Sequence, residues 1–415
     1  MHGPSESPAN PIAVAMNMRR SLGRLVLLWA ALMVTFPAHA IGGDDLLLRA
    51  SVGLQYESNL FRLPASFVFP GLDSRSDVLM VSSVGLLIER PWSSQVFRAS
   101  ASVVDRRYAE YSQLNGLDHD VLLGWRLLHR DRDALDVSVN QSRQTLGFAD
   151  ARIPGRPFVD TFAVRATAAV ELVPRWSALF GTGLVTTDNS PGTRSNLDYQ
   201  LVYFETGARY DWRTGSVFDF VWRRQSAEFT QQPLSSVVAN NGYDEDLIGL
   251  RMTWQVSEIT LLSGRVGLQH RDYYAPGLQT RTGPGANLTL VWQPRGAWRI
   301  DAGLRSELSA AAEINASYAR LNGVNATATW FATGKSRLRA GIDLLDRQFQ
   351  NNLAADLAQV PARQDLIVAL TAGLSIQLWR TLELAADWRF EDRNSNQNNF
   401  DYRAHTVLVR LGAVF

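Results

Sequence analysis

The stretch Thr161-Phe162-Ala163-Val164-Arg165-Ala166-Thr167-Ala168-Ala169-Val170-Glu171-Leu172 decides the fold. Its even positions are all apolar, and its odd positions carry Thr161, Arg165, Thr167 and Glu171. A period of two is the signature of a β-strand, because successive side chains leave opposite faces of the pleat. The same split recurs in Leu135/Val137/Val139 against Asp136/Ser138/Asn140, and in Trp298/Ile300/Ala302/Leu304 against Arg299/Asp301/Gly303/Arg305. It returns in Leu338/Ala340/Ile342/Leu344 against Arg339/Gly341/Asp343. About eighteen such segments are read along the chain, the last ending on Phe415.

A soluble sandwich would also alternate, so the connections decide between the two. Short, turn-forming links at Pro91–Gln95, Arg130–Asp133, Pro174–Ser177, Arg213–Ser216, Gln255–Glu258, Gln293–Ala297, Ala332–Ser336 and Trp379–Thr381 take turns with long polar ones. The long ones include Glu57–Ser76, Gln113–Asp118, Arg143–Val159, Asp188–Leu197, Gln231–Tyr243, Tyr274–Thr282, Gln348–Gln364 and Glu391–Asp401. Short turns at one end and long loops at the other predict an all-β fold, a transmembrane antiparallel up-and-down β-barrel. Its short turns are periplasmic and its long loops extracellular. Sixteen strands would follow if the hairpin around Glu307–Trp330, blurred by Ala310-Ala311-Ala312, is not formed. Trp92, Trp176, Trp212, Trp254, Trp292, Trp298, Trp330 and Trp379 lie by short turns, and Tyr56, Tyr108, Tyr199, Tyr243, Tyr273, Tyr318 and Tyr402 by long loops. Two interfacial aromatic belts are expected.

Arg19, Arg20 and Arg24, the apolar run Leu25–Phe36 and the small-residue site Ala38-His39-Ala40 read as a secretory signal, so residues 1–40 are expected to be cleaved and 41–415 to form the barrel. No later run is apolar and long enough for a spanning helix. The chain has no cysteine, which excludes disulfides and thiolate chemistry. Its formal net charge of +1 gives no argument for nucleic acid. The expected location is the bacterial outer membrane, with outer-membrane lipids around the wall.

With the apolar face on lipid, the other face lines the lumen. A count of that face gives fourteen arginines against nine carboxylates, an excess of about five positive charges. Arg165, Arg223, Arg251, Arg265, Arg299 and Arg339, with Tyr199 and Tyr203 for stacking on sugar rings, are the candidate contacts for an anionic solute or polymer. Two readings stay open: a basic lumen that guides an anion, or Arg/Asp ladders that neutralise one another.

Catalytic, cofactor and metal signatures are not found. His119, His129, His270 and His405 show no metal-ligand spacing, and His270 beside Asp272 has no accompanying serine motif. Gly181-Thr182-Gly183 lies in a strand pattern rather than a phosphate loop. Asp392, Asn394, Asn396 and Asn398 begin like a calcium loop, but Gln397 and Arg403 break the pattern.

Tyr56-Glu57-Ser58-Asn59-Leu60-Phe61-Arg62-Leu63-Pro64, followed by Arg75-Ser76-Asp77, resembles the opening of the EpsL-type outer-membrane proteins of exopolysaccharide systems that accompany exosortase/PEP-CTERM sorting. Arg107-Tyr108, Ser142-Arg143-Gln144, Gly147-Phe148-Ala149-Asp150 and Asn241-Gly242-Tyr243-Asp244-Glu245-Asp246 extend the likeness. The family often has Asp where this chain has Glu57. The resemblance implies a barrel component, a conduit, for exopolysaccharide biosynthesis or secretion. The implied partners are the extracellular polysaccharide and envelope polysaccharide-export proteins, and no catalytic residue is carried over. The alternative is a general or anion-preferring porin for small solutes; a barrel hydrolase is third.

Overall fold

The computed structural model describes residues 46–67, 74–129, 133–149, 155–190, 192–212, 215–231, 242–274, 280–310, 316–351, 359 and 361–415. The signal segment 1–40 lies outside them, as do Asp150 and Asn241. Eighteen strands follow in chain order: β1 Leu46–Glu57, β2 Asp77–Trp92, β3 Gln95–Tyr108, β4 Gly116–His129, β5 Asp133–Thr145, β6 Phe158–Val173, β7 Trp176–Ser190, β8 Tyr199–Asp211 and β9 Val217–Phe229. They continue as β10 Tyr243–Ser257, β11 Thr260–Tyr273, β12 Arg281–Arg295, β13 Trp298–Ala310, β14 Ala316–Phe331, β15 Ser336–Asn351, β16 Gln364–Gln377, β17 Leu382–Ser395 and β18 Tyr402–Val414. The blurred hairpin is formed: β13 and β14 pair from Trp298/Trp330 to Ala310/Tyr318.

Every strand pairs antiparallel with its sequence neighbour, and β1 pairs β18 from Arg49/Val414 to Glu57/Thr406. The sheet therefore closes on itself, the condition for a sheet that spans lipid. Alternation sends Phe162, Val170 and Leu172 of β6 outward with 40%, 44% and 69% exposure, while Arg165 and Thr167 face the lumen. An arginine on the lipid side would cost about 2–4 kcal/mol at mid-membrane, which fixes the sense of the alternation. All eight tryptophans beside short turns are exposed, Trp92 and Trp379 most of all. This wall belongs to an outer-membrane barrel, with the tryptophans marking its periplasmic interface.

The second aromatic belt differs from expectation. Tyr56 is exposed on the outer face, but Tyr108, Tyr243, Tyr318 and Tyr402 are buried. Tyr108 and Tyr243 have the parity of the lumen face, and Arg271 lies 3.9 Å over the Tyr243 ring. Tyr108, Tyr243 and Tyr402 pack inside the extracellular mouth rather than against lipid.

One seam interrupts the wall. β12 and β13 pair only from Ala286/Ser306 downward to Arg295/Trp298. Above that, Arg281–Gly285 still pair with β11, and Glu307–Ala310 still pair with β14, but not with each other. Pro284 sits on this unpaired edge, where a residue without an N–H is tolerated. Arg271 Nη2 reaches across and donates to the Leu308 carbonyl at 3.3 Å, a side chain supplying what the ladder does not.

Candidate functional site

The lumen wall of β8–β13 gathers three of the candidate arginines. Arg223 donates to Glu205 at 2.6 Å, and Arg251 spans Glu205 at 3.0 Å and Asp219 at 2.9 Å. Arg209 closes the network on Asp219 at 2.8 Å. Glu205 and Asp219 are buried, so each carboxylate is held by two guanidinium groups away from bulk water. Tyr203 packs under Arg223, ring to guanidinium at 4.5 Å. Arg265 reaches Glu307 at 3.6 Å, and Arg305 shares that carboxylate at 2.5 Å.

Beside this network is a recess of about 240 Å³, bounded by Arg223, Arg251, Arg265, Gln269 and a glycine floor. Gly249, Gly267 and Gly285 stand directly opposite one another on β10, β11 and β12. A Cβ at Gly249 would come within 2.4 Å of the Val266 carbonyl oxygen, and one at Gly267 within 2.5 Å of the Ile248 oxygen. Only glycine lets the sheet coil this tightly here.

The other candidates lie elsewhere on the inner wall. Arg299 is paired to Asp301 at 2.8 Å and Arg339 to Asp387 at 2.6 Å. Tyr199 packs on Phe229, ring centroids 5.7 Å apart. Arg165 is exposed to the lumen and makes no ion pair with any described residue. The candidates thus do not form one site: Arg223, Arg251, Arg265 and Tyr203 are together, while Arg165, Arg299, Arg339 and Tyr199 are separate.

The expected positive excess does not survive as a general property of the lumen. Carboxylates left out of the sequence count are bound to inner-wall or mouth arginines: Glu89 to Arg98, Asp118 to Arg106 and Arg156, Glu245 to Arg271, Glu307 to Arg265 and Arg305, and Glu391 to Arg389. The ladder reading describes most of the wall. Four cations that make no ion pair with a described residue, Arg49, Lys335, Arg380 and Arg410, gather at the short-turn end.

The extracellular mouth is narrowed by its own loops. Leu60, Phe61, Leu63, Leu79, Tyr108, Tyr111, Leu114 and Phe148 form a buried cluster fed by the first three long loops. Phe61 packs edge-on against Tyr111 at 4.9 Å and on Phe148 at 4.8 Å. Asn59 staples the first loop, accepting from Leu63 N and donating to the Leu63 and Arg403 carbonyls. Asp77 caps the second loop by accepting from Glu110 N and Tyr111 N, both at 3.1 Å. On the third loop, burial and the neighbouring Arg143 lower the pKa of Arg156, which still binds Asp118 at 2.7 Å. The same loop is tied to β17, on a distant part of the wall. Arg393 of β17, fully buried on Asp365, donates through Nη1 to the Ala149 carbonyl at 2.9 Å. Arg363 joins Asp365 at 3.1 Å and is sandwiched between Phe349 and Phe400 at 3.9 and 4.1 Å.

Outside the lumen, His270 meets Thr282 Oγ1 at 2.7 Å and Asp272 at 3.4 Å. His270 and Asp272 are about half exposed on the outer face, which makes this a solvated cross-strand contact. His405 stacks on Trp388 and Phe390 outside the barrel. Gly181 and Gly183 lie within β7, and Asp392 and Asn394 within β17. Among the described residues, no three His, Asp or Glu side chains are grouped to hold a metal ion.

Residues 249–415 match the model of the family described as "Putative beta-barrel porin 2". No protein with a curated description matches the chain. Among solved structures, the outer membrane protein opdK from Pseudomonas aeruginosa is 10% identical, over 90% of this chain and 100% of its own, with a TM-score of 0.47. OccAB4 from Acinetobacter baumannii is 11% identical over 90% and 99%, TM-score 0.48, and a BenF-like porin from Pseudomonas fluorescens is 11% identical over 90% and 99%, TM-score 0.47. The chain is a closed, 18-stranded antiparallel β-barrel of the outer membrane.

Proposed function

We propose that the protein is a passive channel for small hydrophilic solutes, a porin. One observation carries this over a polymer conduit: at the extracellular mouth a loop after β5 is fastened to β17, a strand distant around the barrel, through Arg393 and Ala149. A packed, hydrogen-bonded mouth suits diffusion of small solutes through what remains of an 18-strand lumen, which is wide enough for water. The paired inner wall gives a wet, polar path without a strong trap for any one solute. Reconstitution in planar bilayers tests it: stepwise single-channel conductance and solute-dependent vesicle swelling are expected. A reconstituted barrel that neither conducts ions nor admits small sugars would overturn the proposal.

A second reading, a conduit or outer-membrane component for exopolysaccharide, is favoured by the EpsL-like strings. Their positions give it a specific location. Glu57, Asn59, Leu60, Phe61, Leu63 and Asp77 are buried in the mouth, Phe148 packs on Phe61, and Tyr243 and Glu245 are buried around Arg271. The strings therefore encode the mouth, the part a secreted chain would meet last. Under this reading the partners are envelope export proteins at the short-turn end. Chromosomal deletion separates the two: loss of extracellular polymer with normal small-solute uptake supports the conduit, and the reverse supports the porin.

A further inference from the structure

Four cations without an ion pair to a described residue share one address. Arg49 of β1, Arg410 of β18, Lys335 of the β14–β15 turn and Arg380 of the β16–β17 turn border a single cavity of about 910 Å³ at the short-turn mouth. All four are exposed, and none makes an ion pair with a described residue. Arg337 adds a fifth cation, and Glu383, to which Arg337 is bound, is the cavity's single carboxylate. Elsewhere on the inner wall, arginines are matched almost one to one with carboxylates; here that matching stops. Beside them Ser51 and Ser83 share a hydroxyl–hydroxyl bond at 2.7 Å, and Gly412 lies opposite Ser51; Phe331, Leu382 and Val414 add apolar lining. The floor is thus open to a ligand, and hydroxyls stand beside the charges.

From this we propose that the short-turn vestibule is a binding site for small oxyanions carrying two or more charges, such as phosphate- or carboxylate-bearing solutes. The proposal rests on the channel reading for its role in transport but not for the binding itself. The physical argument is one of uncompensated charge. Like charges gathered in a low-dielectric cup repel one another, and a multivalent anion relieves several repulsions at once, which a chloride does not. Guanidinium groups offer paired N–H donors that match a carboxylate or phosphate edge, and Lys335 adds a mobile point charge from a turn. The wall ladders cannot serve this way, because their donors are already taken by Glu205, Asp219, Asp301 and Asp387. The vestibule thus sets which solutes linger in the pore, at the end facing the periplasm.

The purified barrel in detergent, titrated with inorganic pyrophosphate by calorimetry at low salt, is expected to show saturable binding that weakens as salt is raised. Arg49→Gln/Arg410→Gln should weaken it at least about tenfold. Lys335→Gln/Arg380→Gln, in turns that no strand pairing depends on, should do the same and covers the case in which the first variant fails to assemble. Arg224→Gln, on the outer face at the other end, should bind like the parent. In bilayers, pyrophosphate should reduce current at lower concentration from the short-turn side than from the loop side. Absent saturable binding by the parent, or equal binding by both double variants, overturns the proposal. A parent barrel that conducts without binding pyrophosphate removes this inference alone; one that binds without conducting keeps the site and removes the channel.

Discussion

Two kinds of arginine share this barrel, and their mutational costs should differ sharply. Arg271 and Glu245 are both almost fully buried and 2.6 Å apart. Removing the guanidinium leaves a buried carboxylate uncompensated, which typically costs about 3–5 kcal/mol. Arg339 and Asp387 are closer to water, with side chains 53% and 29% exposed, and such pairs are worth only about 0–1 kcal/mol. Arg271→Ala should therefore lower the temperature at which the folded band converts to the unfolded one on heat-modifiable gels, whereas Arg339→Gln should leave it nearly unchanged. Equal shifts for the two would refute the assignment of Arg271 as a structural brace. At this scale the sequence was only half legible. The parity of Arg223, Arg251 and Arg339 could be read directly from alternation. Their partners could not, because cross-strand pairing joins residues far apart in the chain, such as Arg251 with Glu205.

Strand elements were read well at the periplasmic end and less well at the other. The eight short turns expected from Pro, Gly, Asp and Ser fall where strands end. At the extracellular end, polar residues were taken for loop although the ladder continues through them. β15 runs on through Asn351 and β17 through Ser395, past the expected loop starts at Gln348 and Glu391. Above the hydrocarbon the outer face no longer needs apolar side chains, so alternation fades while hydrogen bonding persists. Asp118 and Glu391 fell into those misread ends, one reason the lumen seemed more positive than it is. The glycine row gives the test at this scale. Gly249→Ala places a Cβ against the Val266 carbonyl, whereas a Cβ at Gly85 finds its nearest neighbours at 3.7 Å, ordinary contact. Overpacking of the first kind costs about 1–3 kcal/mol. Folding yield from urea into detergent should drop for Gly249→Ala and hold for Gly85→Ala. The β12–β13 seam makes a second prediction. Among residues 281–283, 285 and 307–310, amides that face the seam should exchange with deuterium faster than the paired amides of the same strands, and Arg271→Ala should widen that difference.

For the whole molecule, the mouth governs what the barrel can pass, and its closure depends on long-range contacts between loops and wall. The first loop is locked by Asn59 and the Phe61 cluster, the second by Asp77, and the third by Arg393 of β17 holding Ala149. Nothing in the local pattern announces the last contact, since the two residues are 244 positions apart and the donor sits in a strand with ordinary alternation. Arg393 also carries Asp365 and shares Phe400 with Arg363, so Arg393→Ala would damage the rim as well as free the loop. Loop contacts on the other side of the bond allow a cleaner test. Phe148→Ala removes the third loop's packing on Phe61 while leaving the Arg393–Asp365 pair intact. A buried Phe→Ala change costs about 3–5 kcal/mol locally, enough to populate a detached loop without unpairing the wall. Single-channel conductance should then rise, the upper size limit for sugars in vesicle swelling should increase, and the unfolding temperature of the barrel on gels should change little. If conductance stays at the parent value while protease cleavage within the third loop shows that it has detached, the loop does not limit passage, and the mouth must be narrowed by the Asn59 and Asp77 loops alone.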